Sequence, residues 1–199
     1  DDLMVVAEQN PQAVLYGIDF GEWNFEKLKA RNIRPLSVNV EKEKLPFDDN
    51  SFDLIIANQF FEHTKEIFWI NHEVFRCLKP GGHLFFGTPN ILSLHNRILM
   101  LFGFHPTQHK LTSAHVRPFS KRDVKAFYHD VSSGFCRIRG FWGSQFYPFP
   151  GRLARLFSWL LPSMSFSIFF LIQKTGDYQR EFLDWPGKAQ LETNFFIGR

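Results

Sequence analysis

The chain has 199 residues, 44% hydrophobic and 22% charged, with a formal net charge of +3 and a pI near 8.9. That size suits a single domain with a substantial core, and the composition excludes a disordered chain. Basic residues are scattered among acids, which excludes the basic stripe of a nucleic-acid binder; two cysteines, Cys77 and Cys136, make neither a disulfide framework nor a metal site and suit a reducing, cytoplasmic setting.

Residues Asp1 to Gln9 read as the end of a helix, stopped by Asn10-Pro11. Ala13 to Ile18 (AVLYGI) is a short apolar run suited to a buried strand, ending at Asp19. Trp23 to Ala30 has the spacing of an amphipathic helix, Leu36 to Val40 that of a second strand, and Phe52 to Ala57 that of a third. Thr64 to Leu78 places Ile67, Ile70, Val74, Phe75 and Leu78 on one helical stripe, closed by Lys79-Pro80-Gly81-Gly82. His83 to Gly87 is a fourth strand. Strand and helix alternating at this spacing predict a parallel sheet covered by helices.

Beyond Pro89 the pattern changes. Ile91 to Phe102 is predicted helical, and 103–119 is a loop rich in His, Pro and Thr. Ser120 begins a helix with Asp123 three residues on, as in a capping box. Gly134 to Trp142 and Ser165 to Gln173 are strand candidates around an amphipathic helix, Arg152 to Leu161. That helix sets Arg152 and Arg155 beside Leu153, Leu156, Phe157 and Leu160, a face for the core or for an anionic membrane surface. The run from Ser158 to Ile172 is broken by Pro162 and is too short for the roughly 20 apolar residues of a spanning helix. The 25 phenylalanines suit aromatic core packing, with a greasy pocket or membrane-facing surface as the alternative.

Ligands of an open parallel sheet bind beyond the carboxyl ends of its strands, so the informative residues follow each strand: Asp19-Phe20, Asn39-Val40-Glu41, Asn58-Gln59 and Thr88-Pro89-Asn90. A carboxylate in the position of Asp19 can accept hydrogen bonds from ribose hydroxyls; it can equally cap a loop. Histidine is the side chain whose charge changes most readily near neutral pH, so His63 is a candidate base, or a packing residue at a helix start. His105, His109 and His115 match no standard metal-ligand spacing, so no metal is expected there.

The segments YGIDFGE, NVEKEKLPFDDNSFDLIIANQFFEH and EVFRCLKPGGHLFFGTPN, in that order, resemble consecutive motifs of class I S-adenosylmethionine-dependent methyltransferases of the small-molecule type. The likeness is tightest from Val14 to Asn90. It implies an α/β, Rossmann-like, doubly wound and mostly parallel sheet whose last strand is antiparallel. The family's first strand and its G-x-G-x-G loop have no counterpart here, so the resemblance implies a domain incomplete at its N-terminus. It would span 1–174, with acceptor-side insertions in 91–163 and a tail in 175–199. The resemblance implies that Asp19 holds the cofactor ribose, Phe20 lines the adenine pocket, and Asn39 with Val40 meets the adenine amino group. Asn39 stands where the family often has Asp. Asn58 and Gln59 would border the methionine end, His63 would face the reaction pocket, and His115 and Arg117 would bind the acceptor. The implied acceptor is small or lipid-linked, with O-methylation favoured and a peripheral membrane contact open. A degenerate, non-catalytic binding module is the alternative reading. A nicotinamide-dependent oxidoreductase is disfavoured, since that fold has no need of the LPF…SFD…EH…LKPGG series.

Overall fold

The computed structural model describes residues 2–198; Asp1 and Arg199 lie outside the described residues, so the predicted helix is seen only from Asp2. The elements run α1 (Asp2–Gln9), β1 (Leu15–Asp19), α2 (Phe25–Lys29), β2 (Ile33–Ser37), β3 (Phe52–Asn58), α3 (Ile67–Cys77), β4 (Leu78–Pro89), α4 (Leu94–Leu101), α5 (Lys121–Ser132), β5 (Cys136–Ser144), α6 (Gly151–Leu160), β6 (Ser167–Lys174) and α7 (Glu181–Lys188). β1 and β2 pair in parallel. A second sheet has the order β3-β4-β6-β5, in which β3 and β4 are parallel and β6 is antiparallel to both its neighbours. The expected α/β architecture with an antiparallel last strand is therefore present.

Hydrogen bonding divides the strands into two ladders, which changes the expected environment of AVLYGI. Among the described residues β1 pairs only with β2, and Val14 and Ile18 stay 58% and 38% exposed. Side chains join the two sheets instead: the Tyr16 ring meets Phe47 and Phe52 edge-on at 5.0 and 5.8 Å. Asn58 Nδ2, at the end of β3, donates to Asp2 Oδ2 of α1 at 2.8 Å.

The core lies on the larger sheet. Ile168, Phe170 and Ile172 alternate inward along β6 and are fully buried, as a half-buried strand requires. Phe75 of α3, Phe86 of β4 and Phe182 of α7 join them. Much of the phenylalanine content is thus core packing. The tail contributes: Phe182 is 0% exposed, Phe195 meets Phe68 at 4.9 Å, and Phe196 meets Trp69 at 5.0 Å.

Several boundaries moved for physical reasons. β4 begins at Leu78 rather than His83, because the LKPGG segment is absorbed by a register shift opposite Phe52 and Leu54, with Gly81 at φ 85°. α5 starts where its cap predicts: Ser120 Oγ accepts the Asp123 N–H and donates to Asp123 Oδ2 at 2.7 Å. The Arg152–Leu161 helix forms as α6, yet Leu153, Leu156, Trp159 and Leu160 point outward, 47–77% exposed, and only Ser158 is buried. The apolar face expected against the core is thus largely uncovered. Among the described residues no helix is long and apolar enough to cross a membrane.

Candidate functional site

β3 and β4 run in parallel register, so their carboxyl ends, Asn58 and Gly87, lie side by side. The chain must turn sharply there. Gln59 takes the left-handed conformation, φ 54°, and its N–H donates to the Gly87 carbonyl at 2.8 Å. A non-glycine residue in that region marks a backbone held by its surroundings. Gly87 has to be glycine: a Cβ would stand 2.3 Å from Asn58 Oδ1 and 2.8 Å from the Phe169 ring. Asn58 Oδ1 is itself buried without a hydrogen-bond partner.

A short 3-10 turn, Phe61–His63, follows. Phe61 anchors it in the core, meeting Phe86 edge-on at 5.0 Å. The turn buries Glu62 to 1% exposure and leaves His63 exposed. Glu62 Oε2 receives the Thr88 hydroxyl at 3.4 Å, while Oε1 has no partner. Burial pushes the Glu62 carboxyl above the usual carboxylate range. The loop after α4 docks on this turn: the N–H groups of Val116 and Arg117 donate to the Glu62 carbonyl at 2.9 and 3.2 Å. That docking brings His115 to His63, ring to ring at 4.7 Å, with His63 Nδ1 3.3 Å from the Ala114 carbonyl. His115 Nδ1 is buried and unpartnered, and burial with the neighbouring His63 and His109 pulls its pKa down.

Arg117 turns inward. Its Nη2 donates to the Lys65 carbonyl at 2.8 Å, its Nε is buried without a partner, and burial lowers its pKa against the pull of Glu66 and Glu41. It lines an aromatic cavity of about 230 Å³ with Phe61, Phe68, Phe86, Phe119, Phe127 and Tyr128.

At the β1 end, Asp19 is partly exposed. Its Oδ1 accepts the Phe20 N–H at 2.8 Å, and Oδ2 has only a 3.4 Å contact from Asn24 Nδ2. Its neighbours along the chain are exposed and apolar: Ile18, Phe20 and Trp23 are 38%, 68% and 69% exposed. A carboxylate with free lone pairs beside uncovered aromatic rings fits the ribose and adenine of a nucleoside. Asn39 Oδ1 accepts the Glu41 N–H at 3.2 Å, closing a local turn and leaving one lone pair. Val40 packs against both hydrophobic clusters. Glu41 then accepts the N–H groups of Lys65 and Glu66, ahead of α3. Since Arg117 grips the Lys65 carbonyl, the segment after β2 and the Arg117 loop are both tied to Lys65.

Asn58, Gln59, His63, His115 and Arg117 are therefore joined in one connected region, and Asn39 with Val40 is tied to it through Glu41. Asp19 and Phe20 form a neighbourhood of their own beside Ser37, whose hydroxyl donates to the Phe20 carbonyl at 3.1 Å. Sequence reasoning missed Glu62 and Thr88 as a pair. Both stand in strand-following segments, but nothing local says that a glutamate beside an exposed histidine is buried.

Residues 3–86 match the family model described as a methyltransferase domain. A demethylmenaquinone methyltransferase of Listeria welshimeri is 32% identical over 88 residues, covering 41% of this chain and 37% of that protein. A demethylmenaquinone methyltransferase of Lactococcus lactis is 32% identical over 79 residues, covering 37% of this chain and 31% of that protein. The chain thus spans little more than a third of the length of the curated relatives it matches. Among solved structures, an S-adenosylmethionine-dependent methyltransferase of Thermotoga maritima superposes with a TM-score of 0.57 at 17% identity, covering 83% of this chain and 75% of that one. Another from Archaeoglobus fulgidus gives 0.55 at 15% identity, covering 87% of this chain and 80% of that one. These likenesses show the fold.

Proposed function

We propose that this chain is part of a class I S-adenosylmethionine-dependent methyltransferase, binds that cofactor and directs its methyl group to a hydroxyl-bearing acceptor, small or lipid-linked. The observation that carries this reading is the meeting of the β3 and β4 ends with the His115–Arg117 loop on the Glu62–His63 turn. Bound S-adenosylmethionine supplies a methyl group already activated as a sulfonium. The protein's share is positioning. Asp19 accepts the ribose hydroxyls, with Phe20 and Trp23 offering flat surface for the adenine. Asn39 and Val40 form the turn on the adenine side, and Asn58 and Gln59 border the methionine end. His63, exposed in the turn, orients or deprotonates an acceptor hydroxyl, and His115 and Arg117 hold the acceptor.

Two features support a lipid-linked acceptor. The curated relatives carry demethylmenaquinone in their names. The outward face of α6 sets exposed Leu153, Leu156, Trp159 and Leu160 beside exposed Arg152 and Arg155, the composition of a helix lying on an anionic membrane. Two buried free thiols, Cys77 and Cys136, support a cytoplasmic setting.

Calorimetric titration with S-adenosylmethionine and S-adenosylhomocysteine tests the reading, on this chain and on one carrying any further upstream residues of its gene. Binding weakened tenfold or more by Asp19→Ala supports it. No binding by either form favours a degenerate module.

A further inference from the structure

Glu62, His63 and His115 each offer one ligand atom, and these atoms all lie within 4.8 Å of one another. Their hydrogen-bond states make the grouping unusual. Glu62 is only 1% exposed, yet Oε1 has no partner. His115 Nδ1 is also buried and unpartnered. Buried polar atoms are nearly always satisfied, so two empty ones on residues of one cluster ask for a missing partner. The atoms around them that are engaged are the outer ones. Glu62 Oε2 is held by the Thr88 hydroxyl, and His63 Nδ1 faces the Ala114 carbonyl at 3.3 Å. Donation of the Nδ1 proton to that carbonyl fixes the tautomer and leaves the Nε2 lone pair free. An imidazole anchored on one nitrogen and open on the other is how proteins aim histidine at a metal.

We infer that Glu62, His63 and His115 form a binding site for one divalent transition-metal ion, with an open coordination position for an oxygen of the acceptor. Two imidazoles and a carboxylate are a ligand set that suits zinc and other first-row divalent ions while leaving room for an outside oxygen. Zinc held at about 2.0–2.1 Å from each ligand places them about 3.4 Å apart. A spread of 4.8 Å or less therefore closes by a modest side-chain movement, which the exposed His63 ring is free to make. His109, whose ring lies 5.9 Å from that of His115, is not one of the three grouped ligands. The acceptor's place on the ion rests on the methyltransferase reading; the metal site itself does not.

The test is a calorimetric titration of zinc chloride into the chelator-treated chain without cofactor, repeated with cobalt(II) to read its visible absorption. The expected result is one ion per chain, with binding weakened at least tenfold by Glu62→Gln, His63→Ala and His115→Ala and unchanged by His129→Ala, an exposed histidine paired with Asp130. Circular dichroism without metal verifies that each variant is folded, and His63→Ala alters an exposed side chain, so at least one informative variant survives. No saturable binding by the unaltered chain, or equal binding by His63→Ala and His115→Ala, overturns the proposal. Because cofactor is left out, loss of S-adenosylmethionine binding and loss of metal binding are separate results.

Discussion

Two glutamates close together in the chain are buried almost equally, Glu62 at 1% exposure and Glu73 at 2%, and their surroundings are opposite. Glu73 sits in α3 inside a complete network. Its carboxylate receives Nε and Nη2 of Arg76 at 2.8 and 2.7 Å and the Leu45 N–H at 2.7 Å. Arg76 in turn donates to the Leu45 and Phe47 carbonyls and to Asp49, so all five of its N–H groups are engaged. Those bonds hold it well above the usual arginine pKa and hold Asp49 below the usual carboxylate range. Lys174 works the same way beneath α3, donating to Asn50 Oδ1 and to the Phe75 and Leu78 carbonyls. Glu62 has one long contact and an empty oxygen. A satisfied buried charge braces the loop between β2 and β3; Glu62 has no such network.

The largest test of that contrast removes a partner from the brace. Arg76→Met should destabilise the chain by about 3–5 kcal/mol in chemical denaturation, because it strands the buried Glu73 charge. A loss under about 1 kcal/mol would mean that Glu73 finds water or another donor. Next comes the same substitution at both positions. Glu73→Gln should lower stability by about 1–3 kcal/mol, since its neutral amide presents donors to the Arg76 guanidinium. Glu62→Gln should leave the metal-free melting temperature unchanged or raise it, because it relieves the burial of a poorly paired carboxyl. Equal losses at the two positions would erase the distinction. The smallest effect concerns pH. Burial lowers the pKa of His72, whose Nδ1 lies 2.8 Å from the Tyr178 hydroxyl of the tail. Below pH 6.5 the unfolded chain binds a proton there that the folded chain resists, so stability present above that pH falls as acid is added. The dependence should flatten in His72→Asn, followed by thermal melts between about pH 5 and 7.5.

Much of the fold was legible because its signals are local. The stripe Ile67, Ile70, Val74 announced α3, and the Ser120–Asp123 pair announced the start of α5 within one residue. FDLIIA and HLFFG announced β3 and β4, and with them the strand ends where Asn58, Gln59 and Thr88 stand. Other features depended on what lay opposite. AVLYGI reads as a doubly buried strand, yet its exposure depends on its pairing with β2 alone. RLARLFSWLL reads as a face for the core or for a membrane surface; its leucines lie outward, Ser158 is buried, and Phe157 packs on Phe146 and Phe149. α7 is interrupted by Pro186, which hid a helix whose Phe182 is wholly buried.

The sequence by itself determined the order of strands and helices and the carboxylate at the end of β1, since hydrophobic periodicity and turn residues act over a few neighbours; the antiparallel close of the sheet was implied by the family resemblance. Only the tertiary structure decided that Glu62 is buried, that His115 returns to meet His63, and that Arg117 closes over Lys65. Burial and the pairing of a polar atom depend on segments far away in the chain, and no local pattern records them.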